Sequence, residues 1–199
     1  WSSDVCSSDL TWWEPTVHKW LIESVKYAKN IWYKLIQIQS NWQNFSDLEY
    51  VKKLIEAWVT EFWPSIHWFK AETHDYLVKT KWAWEKVIKW LINLKQLNQK
   101  VIINSVITKQ NYKEIPNLAS LLIKLWVSQF QFAFVHILWS AEINKDLIVP
   151  RKTDVIPYVK KALDLWKKSW KICMTEAIPF CLMQWYEWAI AEYNFMPDT

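Results

Sequence analysis

LASLLIKLWVSQFQFAFV, residues 118–135, decides the fold. Its first eight residues carry apolar side chains at helical spacing, and VSQFQFAFV has the near-continuous apolar character of a strand buried on both faces. Trp126 stands between them, where the amphipathic helix stops and the strand begins. The same unit recurs outward from this point. VHKWLIESVKYAKN (17–30) leads to KLIQIQS (34–40). DLEYVKKLIEA (47–57), behind a Ser46 N-cap with Glu49 completing a capping box, leads to the short strand and loop VTEFWPSIHW (59–68). Residues 72–97 are mostly helical, broken around Trp82-Ala83-Trp84, and lead to KVIINSVIT (100–108). YKEIPNLASLLIKL (112–125) leads to SQFQFAFVHIL (128–138). A loop over 139–154 then precedes the helix VIPYVKKALDLWKK (155–168) and the strand KICMTEA (171–177).

Five such repeats mean an α/β chain with a parallel sheet and helical crossovers. A closed or partial barrel and an open doubly wound sheet both fit this pattern. Polar residues collect just past the strand ends: Ser40 and Asn41, Ser65 and His67, Asn104 and Ser105, and His136. In parallel α/β folds that is the face where ligands bind.

The chain has 199 residues, 52% hydrophobic and 22% charged, with a formal net charge of +4. That length suits one core-forming domain. The low, mixed charge excludes a disordered tail and argues against a nucleic-acid or membrane-surface binder. No apolar run reaches the roughly 18 residues of a membrane span. Three cysteines give no disulfide framework, which points to a reducing, cytoplasmic setting.

Glycine is absent and tryptophan occurs 18 times. Trp32, Trp58, Trp126 and Trp170 each follow an amphipathic helix, at the C′ position where a left-handed backbone favours glycine. Trp42 closes Ser-Asn-Trp where Asn-Gly would make the turn. Some bacterial lineages read UGA as glycine, so glycine is expected at every tryptophan after the first. Residues 1–10, WSSDVCSSDL, resemble the translation of a short-read sequencing adapter. They are expected to be an adapter-derived artefact, outside the fold, in which Cys6 carries no chemistry.

With glycine in place of tryptophan, Thr11–Thr16 reads Thr-Gly-Gly-Glu-Pro-Thr. Residues Trp12, Trp13, Glu14 and Pro15 then resemble the GGEP motif of radical S-adenosylmethionine (radical SAM) enzymes. Ser40-Asn41-Trp42 resembles the SNG turn after the family's third strand. Ser65-Ile66-His67-Trp68 resembles the S-[LI]-[HD]-G segment after the fourth. Asn104 in VIINSVITKQNY matches the asparagine of the fifth-strand pattern xNxVhxxxN, and His136 falls at the end of the sixth strand. AIPFCLMQWYEWAIAE (177–192) is similar to radical SAM oxidoreductases related to peptide-modifying and cofactor-building enzymes.

The resemblance implies a partial TIM-type (β/α)6 barrel lacking its first strand and cluster loop. Residues 11–177 would be the truncated core, and 178–199 the start of a C-terminal extension. It implies S-adenosyl-L-methionine, bound at Trp12, Trp13, Glu14, Pro15, Ser40, Asn41, Trp42, Ser65, His67, Asn104 and His136. It also implies a [4Fe–4S] cluster, a reducing electron donor and a small-molecule or peptide substrate. In the family the cluster cleaves S-adenosylmethionine to a 5′-deoxyadenosyl radical that abstracts a substrate hydrogen. The family's CxxxCxxC loop lies upstream of GGEP, where this sequence has residues 1–10, so the fragment is expected to be inactive. Paired glycines let a backbone approach a zwitterion closely, and the Glu14 carboxylate suits its ammonium.

Other residues read more plainly. His18, His74 and Asp75 suit a helix surface or a cap, and the scattered histidines have no zinc spacing. Cys173 suits a buried strand position, while Cys181 is a candidate ligand of an auxiliary cluster. Lys160, Lys161, Lys167, Lys168 and Lys171 suit a solvated helix face. Two other functions compete. Lys109, just past a strand, could form a Schiff base in a barrel lyase if desolvated. Literal tryptophans could make a non-catalytic aromatic-rich binding protein, with indoles at positions 12 and 13 filling the cofactor cleft.

Overall fold

The computed structural model describes residues 7–10, 14–40, 43–137, 140–169 and 172–194. In chain order the elements are β1 (Ser7–Leu10), α1 (Leu21–Asn30), β2 (Leu35–Ser40), α2 (Leu48–Glu56), β3 (Glu61–Pro64), α3 (Ala71–Val78), α4 (Ala83–Gln96) and β4 (Lys100–Ile107). They continue as α5 (Ile115–Lys124), β5 (Gln129–Phe134), α6 (Ser140–Ile143), α7 (Lys145–Ile148), α8 (Lys152–Lys167), β6 (Ile172–Glu176) and α9 (Ala191–Asn194). Strand order is β1-β2-β3-β4-β5-β6. The pairs β1–β2, β2–β3, β3–β4 and β5–β6 run parallel. A doubly wound sheet reverses its strand order partway; this one does not, so the singly wound, TIM-type alternative is the observed one.

The chain divides into two compact units, Trp1–Ser65 with Asp75–Ile103, and Ile66–His74 with Asn104–Thr199. In the first, Ile36 and Ile38 of β2 and Phe62 of β3 are fully buried. Phe45 packs edge-on to Phe62 at 5.6 Å and stacks on Trp90 of α4 at 5.5 Å. In the second, Phe130 and Phe132 of β5 are fully buried, and Phe130 lies 5.4 Å from the Trp166 ring of α8.

Several expectations are corrected. Residues 7–10, set aside as outside the fold, form β1, with Ser7 to Leu10 in register with Leu35 to Ile38. Four residues of extended backbone are enough, since parallel pairing draws on main-chain groups and closes an otherwise open edge of β2. The cap of α2 is Asp47, not Ser46: its carboxylate accepts from Glu49 N–H at 3.0 Å and Tyr50 N–H at 3.4 Å. The expected loop over 139–154 contains two short helices, α6 and α7, and α8 starts at Lys152. The break expected near Trp82 is present. Both Asp75 oxygens accept there, from Trp82 N–H at 2.7 Å and Trp84 N–H at 2.9 Å, and start α4.

Two sets of tryptophans stand out among the described residues. Trp32, Trp58, Trp82, Trp126 and Trp185 have left-handed backbones with φ of 61–89° and are exposed. For Trp32, Trp58 and Trp126 this is the conformation that a position just past a helix calls for. Trp42 and Trp170 lie outside the described residues. Trp90 and Trp166, by contrast, are fully buried inside helices against aromatic rings. Uniform glycine at every tryptophan does not fit these two, because an interior helix face filled by an indole is a packing position rather than a turn.

Candidate functional site

The first unit builds its polar group at the ends of β1 and β2. Glu14 precedes a 3-10 turn over Pro15–Val17, with Pro15 at its first position. Pro suits that place because the turn needs no N–H there. The Glu14 Oε1 atom accepts from the Thr16 N–H at 3.0 Å, from the Thr16 hydroxyl, and from Ser40 Oγ at 2.7 Å. Ser40 and Glu14, 26 residues apart, meet because parallel β1 and β2 end side by side. Ser65 joins through its backbone, its N–H donating to the Ser40 carbonyl at 3.3 Å.

Sequence reasoning missed two supports of this turn. Asn44 Nδ2 and the Tyr50 hydroxyl donate to the Thr16 carbonyl at 3.1 and 3.2 Å. Partial burial, and then the negative charge of Glu14, raise the Tyr50 pKa above its ordinary value. It also missed Glu61, buried on β3, which receives the Lys100 ammonium and the Trp63 indole N–H at 3.2 Å. The available signal was a charged residue inside a strand that otherwise reads as buried.

In the second unit His67 Nδ1 accepts from the Val106 N–H at 3.3 Å. Its carbonyl accepts from Asn111 Nδ2 at 3.1 Å. Asn111 also donates to the Val106 carbonyl at 2.7 Å and accepts from the Thr108 N–H at 2.7 Å. The second asparagine of the fifth-strand pattern is therefore a buried staple between the β4 turn and the His67 loop. Burial, with His74 nearby, lowers the His67 pKa to about 4, so the ring is neutral at pH 7. Asn104, on β4, has a buried Oδ1 without a hydrogen-bond partner among the described residues. A buried orphan acceptor is costly unless a ligand donates to it. His136 is exposed past β5, its Nε2 3.8 Å from Glu176 Oε1.

Of the expected site residues, Trp12, Trp13, Asn41 and Trp42 lie outside the described residues. Glu14 and Ser40 touch directly, while His67 and Asn104 belong to the second unit. Lys109 is exposed with its ammonium on the Asp146 carbonyl, so it lacks the desolvation a Schiff-base lysine needs. The exposed left-handed tryptophans sit at turns rather than along one helix or strand, the arrangement that disfavours an aromatic binding face.

The residues present fit S-adenosylmethionine by their chemistry. Asn104 offers an acceptor in need of a donor, and Glu14 offers a carboxylate oriented by three donors. They do not fit an iron–sulfur cluster. Among the described residues no group of three or more His, Cys, Asp or Glu could hold a metal ion. Cys173 is buried on β6 with its thiol pushed well up by burial, and Cys181 is exposed. Three thiolates are needed for such a cluster.

No family model and no curated protein matches the sequence. Solved structures do. Streptococcus suis SuiB bound to S-adenosylmethionine matches with TM-score 0.66 and 17% identity over 81% of this chain and 37% of that one. SuiB bound to precursor peptide SuiA matches with TM-score 0.63 and 18% identity over 82% of this chain and 36% of that one. A domain of pyruvate-formate lyase-activating enzyme from Bacteroides vulgatus matches with TM-score 0.67 and 11% identity, over 85% of this chain and 98% of that one. The chain shares its fold with these solved structures. The chain spans a little over a third of the SuiB chains it matches. Among the described residues no helix is long and apolar enough to cross a membrane.

Proposed function

We propose that this chain is the S-adenosylmethionine-binding part of a radical SAM enzyme that acts on a peptide or small molecule. The contact between Ser40 Oγ and Glu14 Oε1 at 2.7 Å carries the reading. Two motifs matched separately in the sequence supply its two ends, at the strand-end face where parallel α/β folds bind ligands. Glu14 would receive the ammonium of the methionine moiety. When bound, the cofactor supplies the hydrogen-abstracting radical in this family, and the chain's own residues orient it. A reducing electron donor and a cytoplasmic setting belong to the same reading, supported by the cysteine usage. The SuiB complex with its precursor peptide supports a peptide as substrate.

Equilibrium dialysis with S-adenosylmethionine tests the binding. The protein tested carries glycine at positions 12 and 13. Glu14→Gln should raise Kd about ten-fold, since losing the charge opposite an ammonium costs roughly 1.4 kcal/mol. Binding indifferent to Glu14→Gln, or no binding, would refute the assignment.

A further inference from the structure

We infer that Glu176, with Gln131 and His136, forms a binding position for an ammonium group on the substrate. The inference names a substrate class for the proposed enzyme and rests on that reading for calling the ligand a substrate. Strand alternation sets the geometry. Phe130 packs against Trp166 of α8, so Gln131, one residue on, faces the opposite side of the sheet. β6 follows suit: Met174 meets Gln129 across the pair, and Glu176 meets Gln131. That face of β5 and β6 carries Gln129 and Gln131 beside Ile172 and Met174 and ends in the Glu176 carboxylate.

That carboxylate is held and open at once. Buried Gln131 donates to Glu176 Oε2 at 2.5 Å and fixes the group. The other oxygen lies 3.8 Å from His136 Nε2, and the Glu176 side chain is 36% exposed. Among the described residues no Lys or Arg lies within 4.0 Å of it. The nearby ammonium of Lys152 is committed elsewhere, donating to the Ala177 carbonyl at 2.8 Å above the Phe134 ring. The oxygen beside His136 is the one a ligand cation would approach.

The backbone at this point is also strained. Ala177 has φ 58°, and it is pinned from both sides, by Lys152 on its carbonyl and by Glu192 Oε1 on its N–H at 2.6 Å. A non-glycine residue in the left-handed region costs about 1 kcal/mol or more and persists where surrounding contacts enforce it. The enforced residue directly follows Glu176. A primary ammonium matches the open oxygen as a compact point charge with three donors.

The probes are Nα-acetyl-lysine methylamide and its apolar counterpart Nα-acetyl-norleucine methylamide. Each is titrated into the chain without S-adenosylmethionine and followed by broadening of the probe's proton NMR signals. The lysine probe should bind and the norleucine probe should not. Glu176→Gln, which keeps the side-chain shape, should weaken lysine binding at least five-fold. Gln131→Ala, which releases the carboxylate, should weaken it in the same direction and decides the matter if Glu176→Gln does not fold. Equal binding of the two probes, or lysine binding unchanged by the Glu176 and Gln131 substitutions, overturns the inference. Because no cofactor is present, loss of S-adenosylmethionine binding in the dialysis experiment leaves this result untouched, and the two failures are distinguishable.

Discussion

Replacing Trp166 by alanine lowers the unfolding free energy by about 4 kcal/mol, whereas Trp126→Gly raises it by about 0.5–1 kcal/mol. Trp166 is fully buried on α8 and tilted against Phe130 at 5.4 Å, so truncation removes a large apolar volume from a packed interior. Its indole N–H is buried without a hydrogen-bond partner among the described residues. Trp166→Phe keeps most of the ring and deletes that orphan donor, and should cost much less than alanine. Trp126 is the opposite case, 68% exposed with φ 61° just past α5. The left-handed backbone disfavours a side chain by about 1–2 kcal/mol, and the greater freedom of glycine in the unfolded chain offsets about 0.5–1 of it. Urea unfolding midpoints measure all three variants. A Trp126→Gly variant less stable than its parent would contradict the assignment of that position as a glycine turn.

Acid destabilises the chain through His67 by up to about 3 kcal/mol. The ring is neutral in the fold, with a pKa lowered from 6.5 to about 4 by burial and by His74. The unfolded chain binds its proton near pH 6.5, while the folded chain resists it until about pH 4. The contribution is therefore complete above pH 6.5, falls as pH drops, and is lost below about 4. The 2.5-unit gap, at 1.36 kcal/mol per unit, gives about 3 kcal/mol. His67→Gln keeps an acceptor for the Val106 N–H and removes the titration. The difference in stability between parent and variant should thus shift by about that amount between pH 7 and pH 4. A difference independent of pH would mean that the ring titrates normally and is not held neutral.

Much of the architecture was legible because each helix-to-strand switch changes the hydrophobic period, and every strand from 34–40 onward appears within a few residues of its expected place. β1 was not legible, since four polar-leaning residues pair through their backbone and leave no periodic trace. The cap at Asp47 was misplaced by one residue because Ser46 and Asp47 are both good capping side chains, and only backbone geometry chooses between them. In the site, Glu14 and Ser40 were readable as motifs. Their contact was not, because it depends on β1 and β2 being neighbours. Asn44, Tyr50 and Glu176 act through tertiary partners 28 to 45 residues away in sequence, a separation that leaves no local pattern. Lys109 misled as a candidate nucleophile for a related reason: its position past a strand was visible, but its exposure was not.

Cleavage of S-adenosylmethionine tests the central claim most directly. The full gene product containing this sequence would be expressed under its source's own genetic code, then loaded with iron and sulfide under reducing conditions. The proposed function predicts 5′-deoxyadenosine and methionine in equal amounts, at a rate lowered at least ten-fold by Glu14→Gln. A protein that takes up a cluster and binds S-adenosylmethionine yet forms no 5′-deoxyadenosine would contradict it.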